Sequence, residues 1–205
     1  LFGCAAKQPT AEETKAAEGT TSENTSLPSA DGAEVVLLMA EGGSVDDRSF
    51  GSASWAGIVE FCKETGHTYT YYQAKDNTVE SQMAICDAAV KGGAKIVLCA
   101  TDAMKVATLE MAQTYPDIQF LLMDAEPQTT SGEIIVPENL LAVTFSAEQS
   151  GFLAGYAIVK DGYKKLGFMG GQAVPGVLQY GYGFIAGADV AAKELGVEDI
   201  EIKYN

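Results

Sequence analysis

Blocks of apolar and polar positions alternate along the chain, and their lengths switch between those of buried strands and those of helices. Glu34-Val35-Val36-Leu37-Leu38-Met39-Ala40 carries a continuous apolar run, the pattern of a strand covered on both faces in a parallel sheet. A glycine-rich acidic segment, 41–49, comes next, followed by a helical pattern over 50–65 that stops at Gly66. Residues 68–73 read as a second strand, and Val79, Met83, Cys86 and Val90 recur at helical spacing before Gly92-Gly93. A third strand is expected at 96–100, a helix at 104–114, and, after the break at Pro116, a fourth strand at 118–123 ending on Asp124. Repeated strand–helix–strand with short connections predicts a doubly wound α/β domain with a parallel sheet.

The texture changes beyond Asp124. A polar loop at 127–132 precedes short apolar segments at 134–136 and 141–145, then a helix at 148–160 and a strand at 166–169 that runs into Gly170-Gly171. A long helix at 177–195 and a strand from Ile200 complete the pattern. These elements open a second α/β unit whose apolar faces call for more covering, so the fold is expected to be truncated at the C-terminus. The expected division is 1–4 as the remnant of a signal, 5–32 as a tether, 33–145 as a first α/β lobe lacking elements from further chain, and 146–205 as the start of a second.

Composition narrows the setting. At 47% hydrophobic residues the 205-residue chain can build a core, while a formal net charge of −15 argues against nucleic acid and against adsorption to anionic lipid. No apolar run approaches the ~20 residues of a bilayer span. Leu1-Phe2-Gly3-Cys4 reads as the end of a bacterial lipoprotein signal, with Cys4 as the residue that takes diacylglycerol. The Ala-, Glu-, Thr- and Ser-rich stretch behind it has little apolar surface to bury, as a tether between membrane and folded body would. An extracytoplasmic location, anchored through lipidated Cys4 alone, is therefore expected. Cys62, Cys86 and Cys99 lie at wide spacing inside apolar segments and fit buried small hydrophobes rather than a redox pair or a zinc site. His67, just after Gly66, reads as a surface turn.

In an open parallel sheet, ligands bind beyond the carboxyl ends of the strands. The candidates there are Glu41 and the 42–49 loop with Asp46, Asp47 and Ser49, then Phe50, Thr101-Asp102, Asp124 and Gly170-Gly171. Asp46, Asp47 and Ser49 also suit the N-cap of a helix, and Asp124 also suits a turn. Phe50 suits either packing under the sheet or stacking on a planar ligand. Trp55 shares the apolar side of its helix with Ile58 and Val59, which places it in the core. Gly170-Gly171 lacks the GKS or GKT of a nucleotide P-loop, no G-x-S-x-G elbow surrounds a serine, and Glu41 with Asp46 and Asp47 follows no EF-hand spacing. The set makes binding contacts but composes no catalytic constellation, so the chain is expected not to be an enzyme and to need no cofactor.

The stretch 35–50 with its D-x-S-F core at Asp47-Arg48-Ser49-Phe50, followed by Trp55-Ala56-Gly57, resembles the basic membrane protein family of ABC-transporter substrate-binding lipoproteins. Tyr115-Pro116-Asp117-Ile118-Gln119-Phe120 with its terminal Asp124, Phe152-Leu153-Ala154-Gly155, Gly167-Phe168-Met169-Gly170-Gly171 and Gly183-Phe184-Ile185-Ala186-Gly187-Ala188 extend the resemblance over the chain from Glu34 onward. The resemblance implies a type I periplasmic-binding-protein fold whose two lobes close on a purine nucleoside. Its partners would be an ABC permease and its ATPase, with the receptor itself a monomer. By motif position, Phe50 would stack on the base, Glu41 would stand where the family usually has an aspartate, and Asp124 would accept from the ribose hydroxyls. Asp46, Ser49 and Gly171 complete the expected ligand-binding set. Three departures surround this pocket: Glu41 itself, Gly51 in place of a common asparagine, and Thr101-Asp102 where many relatives have Gly-Phe. A same-fold receptor for a sugar or other small polar solute, or a surface or sensory lipoprotein without transport, are the alternatives.

Overall fold

Val35–Met39 is buried at all five positions and forms the first strand, β1, of a five-stranded parallel sheet in the computed structural model, which describes residues 32–204. Cys4 and most of the expected tether lie outside the described residues. The elements that follow are α1 (Phe50–Thr65), β2 (Tyr69–Gln73), α2 (Val79–Lys91), β3 (Ile96–Ala100), α3 (Lys105–Thr114), β4 (Gln119–Met123) and β5 (Leu140–Val143). A short 3₁₀ turn, Asp102–Met104, leads into α3, which begins one residue after the expected start at 104. The strand order is β2-β1-β3-β4-β5, with Leu37 level with Tyr71 on one side and with Leu98 on the other. Chain direction across the sheet therefore reverses between β1 and β3, which makes their carboxyl ends the topological switch point.

Side chains of β1 divide by strand alternation. Val36 and Leu38 face Ile85 and Cys86 of α2 and Met111 of α3. Val35, Leu37 and Met39 face Ile58 and Cys62 of α1, with Trp55 at the margin edge-on to Tyr69 and Tyr71. Cys62, Cys86 and Cys99 are buried and free, and burial pushes the thiol of Cys99 up to about 12. His67 sits on the surface against Glu34 at 2.8 Å. The α1 face is covered less well over β4 and β5, where Leu141 is 63% exposed. The apolar segment at 134–136 makes a single antiparallel bridge, Ile134 with Gln128, instead of a strand; β5 already occupies the neighbouring edge of β4. The chain enters this unit at the amino ends of the strands, where the N–H of Gly32 donates to Gly92 and the hydroxyl of Thr68 donates back to the Gly32 carbonyl.

The second unit comprises α4 (Ala147–Lys160), β6 (Lys165–Phe168), α5 (Pro175–Leu195) and β7 (Glu201–Tyr204), with β6 and β7 paired in parallel. Glycines dovetail its two helices. A Cβ at Gly151 would land on the Tyr180 carbonyl and one at Gly155 on that of Phe184; one at Gly183 would land on Glu148 and one at Gly187 on Phe152. Contacting positions rise together along both helices, so α4 and α5 run parallel at backbone-to-backbone distance. Gly183 and Tyr180 lie opposite Glu148 and Gly151 near the start of α4, so one turn of α5, ~5 Å, extends past it.

Candidate functional site

The overhanging tip of α5 reaches the carboxyl edge of the first sheet. A Cβ placed on Gly176, in the first turn of α5, would lie 3.6 Å from Oδ2 of Asp124. Asp124 directly follows β4, donates its backbone N–H to the Val143 carbonyl at 2.7 Å, and holds a left-handed backbone at φ 59°. Its half-buried carboxylate takes no hydrogen bond from the described residues, and burial, then the charge of Asp102, raise it above the ordinary range. The α5 terminus beside it is uncapped by any side chain and begins with Pro175. An acceptor-only carboxylate thus stands next to the positive end of a helix dipole.

Phe50 opens α1 and is 38% exposed at this same edge, its ring centroid 6.3 Å from that of Phe145 with planes tilted by 51°. Phe145 lies two residues past Val143, the strand partner of Met123 and acceptor for Asp124, so two aromatic rings and one unpaired carboxylate share the carboxyl edge of β4 and β5. Sequence reasoning passed over Phe145; the signal was an exposed aromatic at the carboxyl end of a strand, the criterion that selected Phe50.

The 41–49 loop divides its duties. Asp47 is the helix cap: its carboxylate accepts from the N–H groups of Ser52, Ser49 and Gly51, at 3.0, 2.7 and 3.0 Å, which hold it down to about 2. Ser49 occupies the N-cap position without capping through its side chain. Asp46 is exposed and donates its N–H to Oγ of Ser44. Glu41 is clasped by Asn77: the Glu41 N–H donates to Oδ1 at 3.1 Å, and the Asn77 amide donates to Oε2 at 3.4 Å. The departure at Gly51 has a steric basis, since a Cβ there would land on the Ser44 carbonyl and stand 2.6 Å from Oδ2 of Asp47. Gly171 is exposed, with nothing within 4 Å of a Cβ, and lines a cavity of about 350 Å³ between the end of β6 and helices α4 and α5. The structure therefore sets Phe50 and Asp124 at the same carboxyl edge of the sheet, Glu41, Asp46 and Ser49 along the loop ahead of Phe50, and Gly171 in the cavity against α4 and α5.

Among the described residues, three non-glycine residues have positive φ: Arg48, Thr101 and Asp124. All three follow strands at the carboxyl edge, where strained backbone tends to collect around function. No group of three or more His, Cys, Asp or Glu among the described residues could hold a metal ion. No helix among them is long and apolar enough to cross a membrane.

This architecture is an α/β periplasmic-binding-protein-like fold. It superimposes on an ABC transporter solute-binding protein of Aeropyrum pernix K1 with a TM-score of 0.65 at 18% identity, covering 84% of this chain and 47% of that one. Residues 33–202 match the Bmp family, described as ABC transporter substrate-binding protein PnrA-like, and the chain belongs to that family. It is 26% identical over 166 residues to the ABC transporter nucleoside-binding protein BmpA of Lactococcus lactis subsp. cremoris, covering 78% of this chain and 45% of that protein. It is 27% identical over 167 residues to Basic membrane protein B of Borreliella burgdorferi, covering 80% and 48%. The chain spans about half the length of these curated relatives.

Proposed function

We propose that the protein is the substrate-binding lipoprotein of an ABC importer, held at the extracytoplasmic face of the membrane through Cys4, and that it captures a purine nucleoside. The reading is carried by the Phe50–Phe145 aromatic pair and the unpaired carboxylate of Asp124, which occupy the same carboxyl edge of the sheet. An aromatic face suits a planar base, and a carboxylate that only accepts suits a pair of vicinal hydroxyls. The Lactococcus relative, named as a nucleoside-binding protein, points the same way. Glu41, Asp46 and Ser49 would border the ligand from the first loop, and Gly171 from the second lobe.

Capture, closure and handover to a permease driven by its ATPase is the mechanism; no bond of the ligand is broken. Closure would bring the α5 tip and Asp124 around the solute and exclude water, so that a few hydrogen bonds and one stacked ring yield micromolar affinity or better, about −8 kcal/mol. The test is calorimetric titration of the protein with inosine, guanosine, adenosine, cytidine and ribose. Tight one-to-one binding of a purine nucleoside with ribose inert is the expected result. Binding of ribose alone would make it a sugar receptor, and silence across the panel would leave the non-transport lipoprotein.

A further inference from the structure

Only two polar side chains among the described residues are fully buried, Gln82 at 1% and Thr108 at 0% exposure, and both donate to the same turn. Gln82, on α2, reaches across 21 residues of sequence to give its Nε2 to the Ala103 carbonyl at 3.2 Å. Thr108 gives its hydroxyl to the next carbonyl, Met104, at 2.8 Å. The turn they hold follows β3 at the topological switch point and starts at Thr101, whose φ of 80° and ψ of 160° belong to a region that is essentially glycine's own. A β-branched residue stays there only if its surroundings leave it no alternative.

Those surroundings can be named. Met104 is wholly buried and donates its N–H back to the Thr101 carbonyl at 3.2 Å. Between them Asp102 takes Nζ of Lys105 on both carboxylate oxygens, at 2.9 and 3.1 Å, and the pair is three-quarters buried. The charge of Asp102 is felt at Asp124, the unpaired carboxylate of the candidate site. Two contacts reach the turn from other connections: the backbone N–H of Gln128 donates to the Lys105 carbonyl at 3.4 Å, and Gln82 is the side chain that ties the turn to α2.

We infer that Gln82 is a positioning residue of the ligand site: through the Ala103 carbonyl it pins the strained turn at Thr101, which follows Ala100 just as Asp124 follows Met123, its partner across the sheet, and so sets Asp102 on the side of Asp124. This rests on the receptor reading above and extends it to a residue that touches no ligand. If Gln82 works against the strain of Thr101, its importance vanishes when that strain does. In Thr101→Gly the turn keeps its shape unaided, and the pin becomes redundant.

The test is a double-mutant cycle of Gln82→Met and Thr101→Gly on the whole 205-residue chain, with amide hydrogen exchange over 101–105 and calorimetric affinity for inosine and ribose as readouts. Gln82→Met is expected to speed exchange across the turn and to weaken the binding solute about five- to tenfold, on the scale of one lost buried hydrogen bond. In the Thr101→Gly background both effects should shrink to within about twofold, because the interaction between the two sites carries them. Gln82→Asn, which keeps the amide but withdraws it by one methylene, repeats the comparison should the methionine variant fold poorly. Equal losses in both backgrounds, or an affinity unmoved while the melting temperature falls, would make Gln82 a plain core residue. Wild-type protein that binds neither solute refutes the receptor reading; exchange indifferent to Gln82 refutes this inference alone.

Discussion

Gly155→Ala and Gly57→Ala are the same chemical change inside two helices, and the structure gives them opposite signs. Gly57 lies in α1 with nothing within 4 Å of an added Cβ. Only helix propensity acts there, and the alanine should stabilise by about 0.8–1 kcal/mol. At Gly155 the same carbon falls on the Phe184 carbonyl oxygen and stands 2.8 Å from the carbonyl carbon and 3.0 Å from the Ala188 nitrogen. Ordinary contact begins near 3.4 Å, and the opposing atoms are backbone, which cannot rotate aside. The two helices must therefore move apart. Overpacking of this kind costs about 1–3 kcal/mol and occasionally more. With the propensity gain subtracted in full the net loss reaches up to about 2 kcal/mol, which for a chain of this size is up to roughly 8 °C in melting temperature. Urea titration should be followed both by far-UV circular dichroism and by fluorescence of the single tryptophan, Trp55, which reports the first unit. Gly155→Ala should lower the dichroism midpoint, and Gly57→Ala should raise the fluorescence midpoint. If Gly155→Ala stabilises as Gly57→Ala does, α4 and α5 are not dovetailed at backbone distance.

Thr101→Gly trades about 1–3 kcal/mol of backbone strain for about 0.5–1 kcal/mol of added chain entropy, so it should stabilise by about 0.5–2 kcal/mol; an unchanged or lower denaturation midpoint counts against strain there. Phe50→Ala should weaken purine nucleoside binding at least tenfold, the scale of a lost aromatic stack, while leaving the urea midpoint of the Trp55 signal close to wild type. Asp124→Asn removes an acid that burial and Asp102 raise above its ordinary 3.8. Between 3.8 and that raised value the native state holds more protons than the unfolded chain, so the stability that protonated Asp124 contributes is complete below 3.8 and lost as pH rises through the folded value. The asparagine variant, whose residue type tolerates the left-handed φ, should therefore gain in melting temperature over wild type as pH rises from acid to neutral; a gap independent of pH refutes the shift.

Much of the fold was legible because its signals are local. The unbroken apolar run at β1, the glycine stop after α1 and the proline break before β4 each act through residues within a few positions, and the structure follows them closely. Of the two short apolar segments beyond the polar loop, only the second supplies a strand: a strand needs an edge, and β5 takes the edge of β4 while 134–136 makes one bridge. Helices α4 and α5 were legible through their glycines, but only the partner helix reveals those glycines as contact points. At the candidate site, Phe50 and Asp124 stood out by their positions after a loop and a strand. Asn77 and Gln82 did not, because each acts on a carbonyl or amide 21 to 36 residues away. The strain at Thr101 was hidden in a residue type that usually shuns that conformation.

The chain enters the first unit beside Gly92, at the amino ends of the strands, whereas the aromatic pair and Asp124 stand at their carboxyl ends. Five residues of parallel strand separate the two edges by about 17 Å. A dye, a bead or an electrode linker coupled at Gly32 would thus hold the first unit by the edge opposite the candidate site. Immobilised that way on a sensor chip, every molecule would present the same face to the flowing sample, and the linker would not compete with the analyte for it.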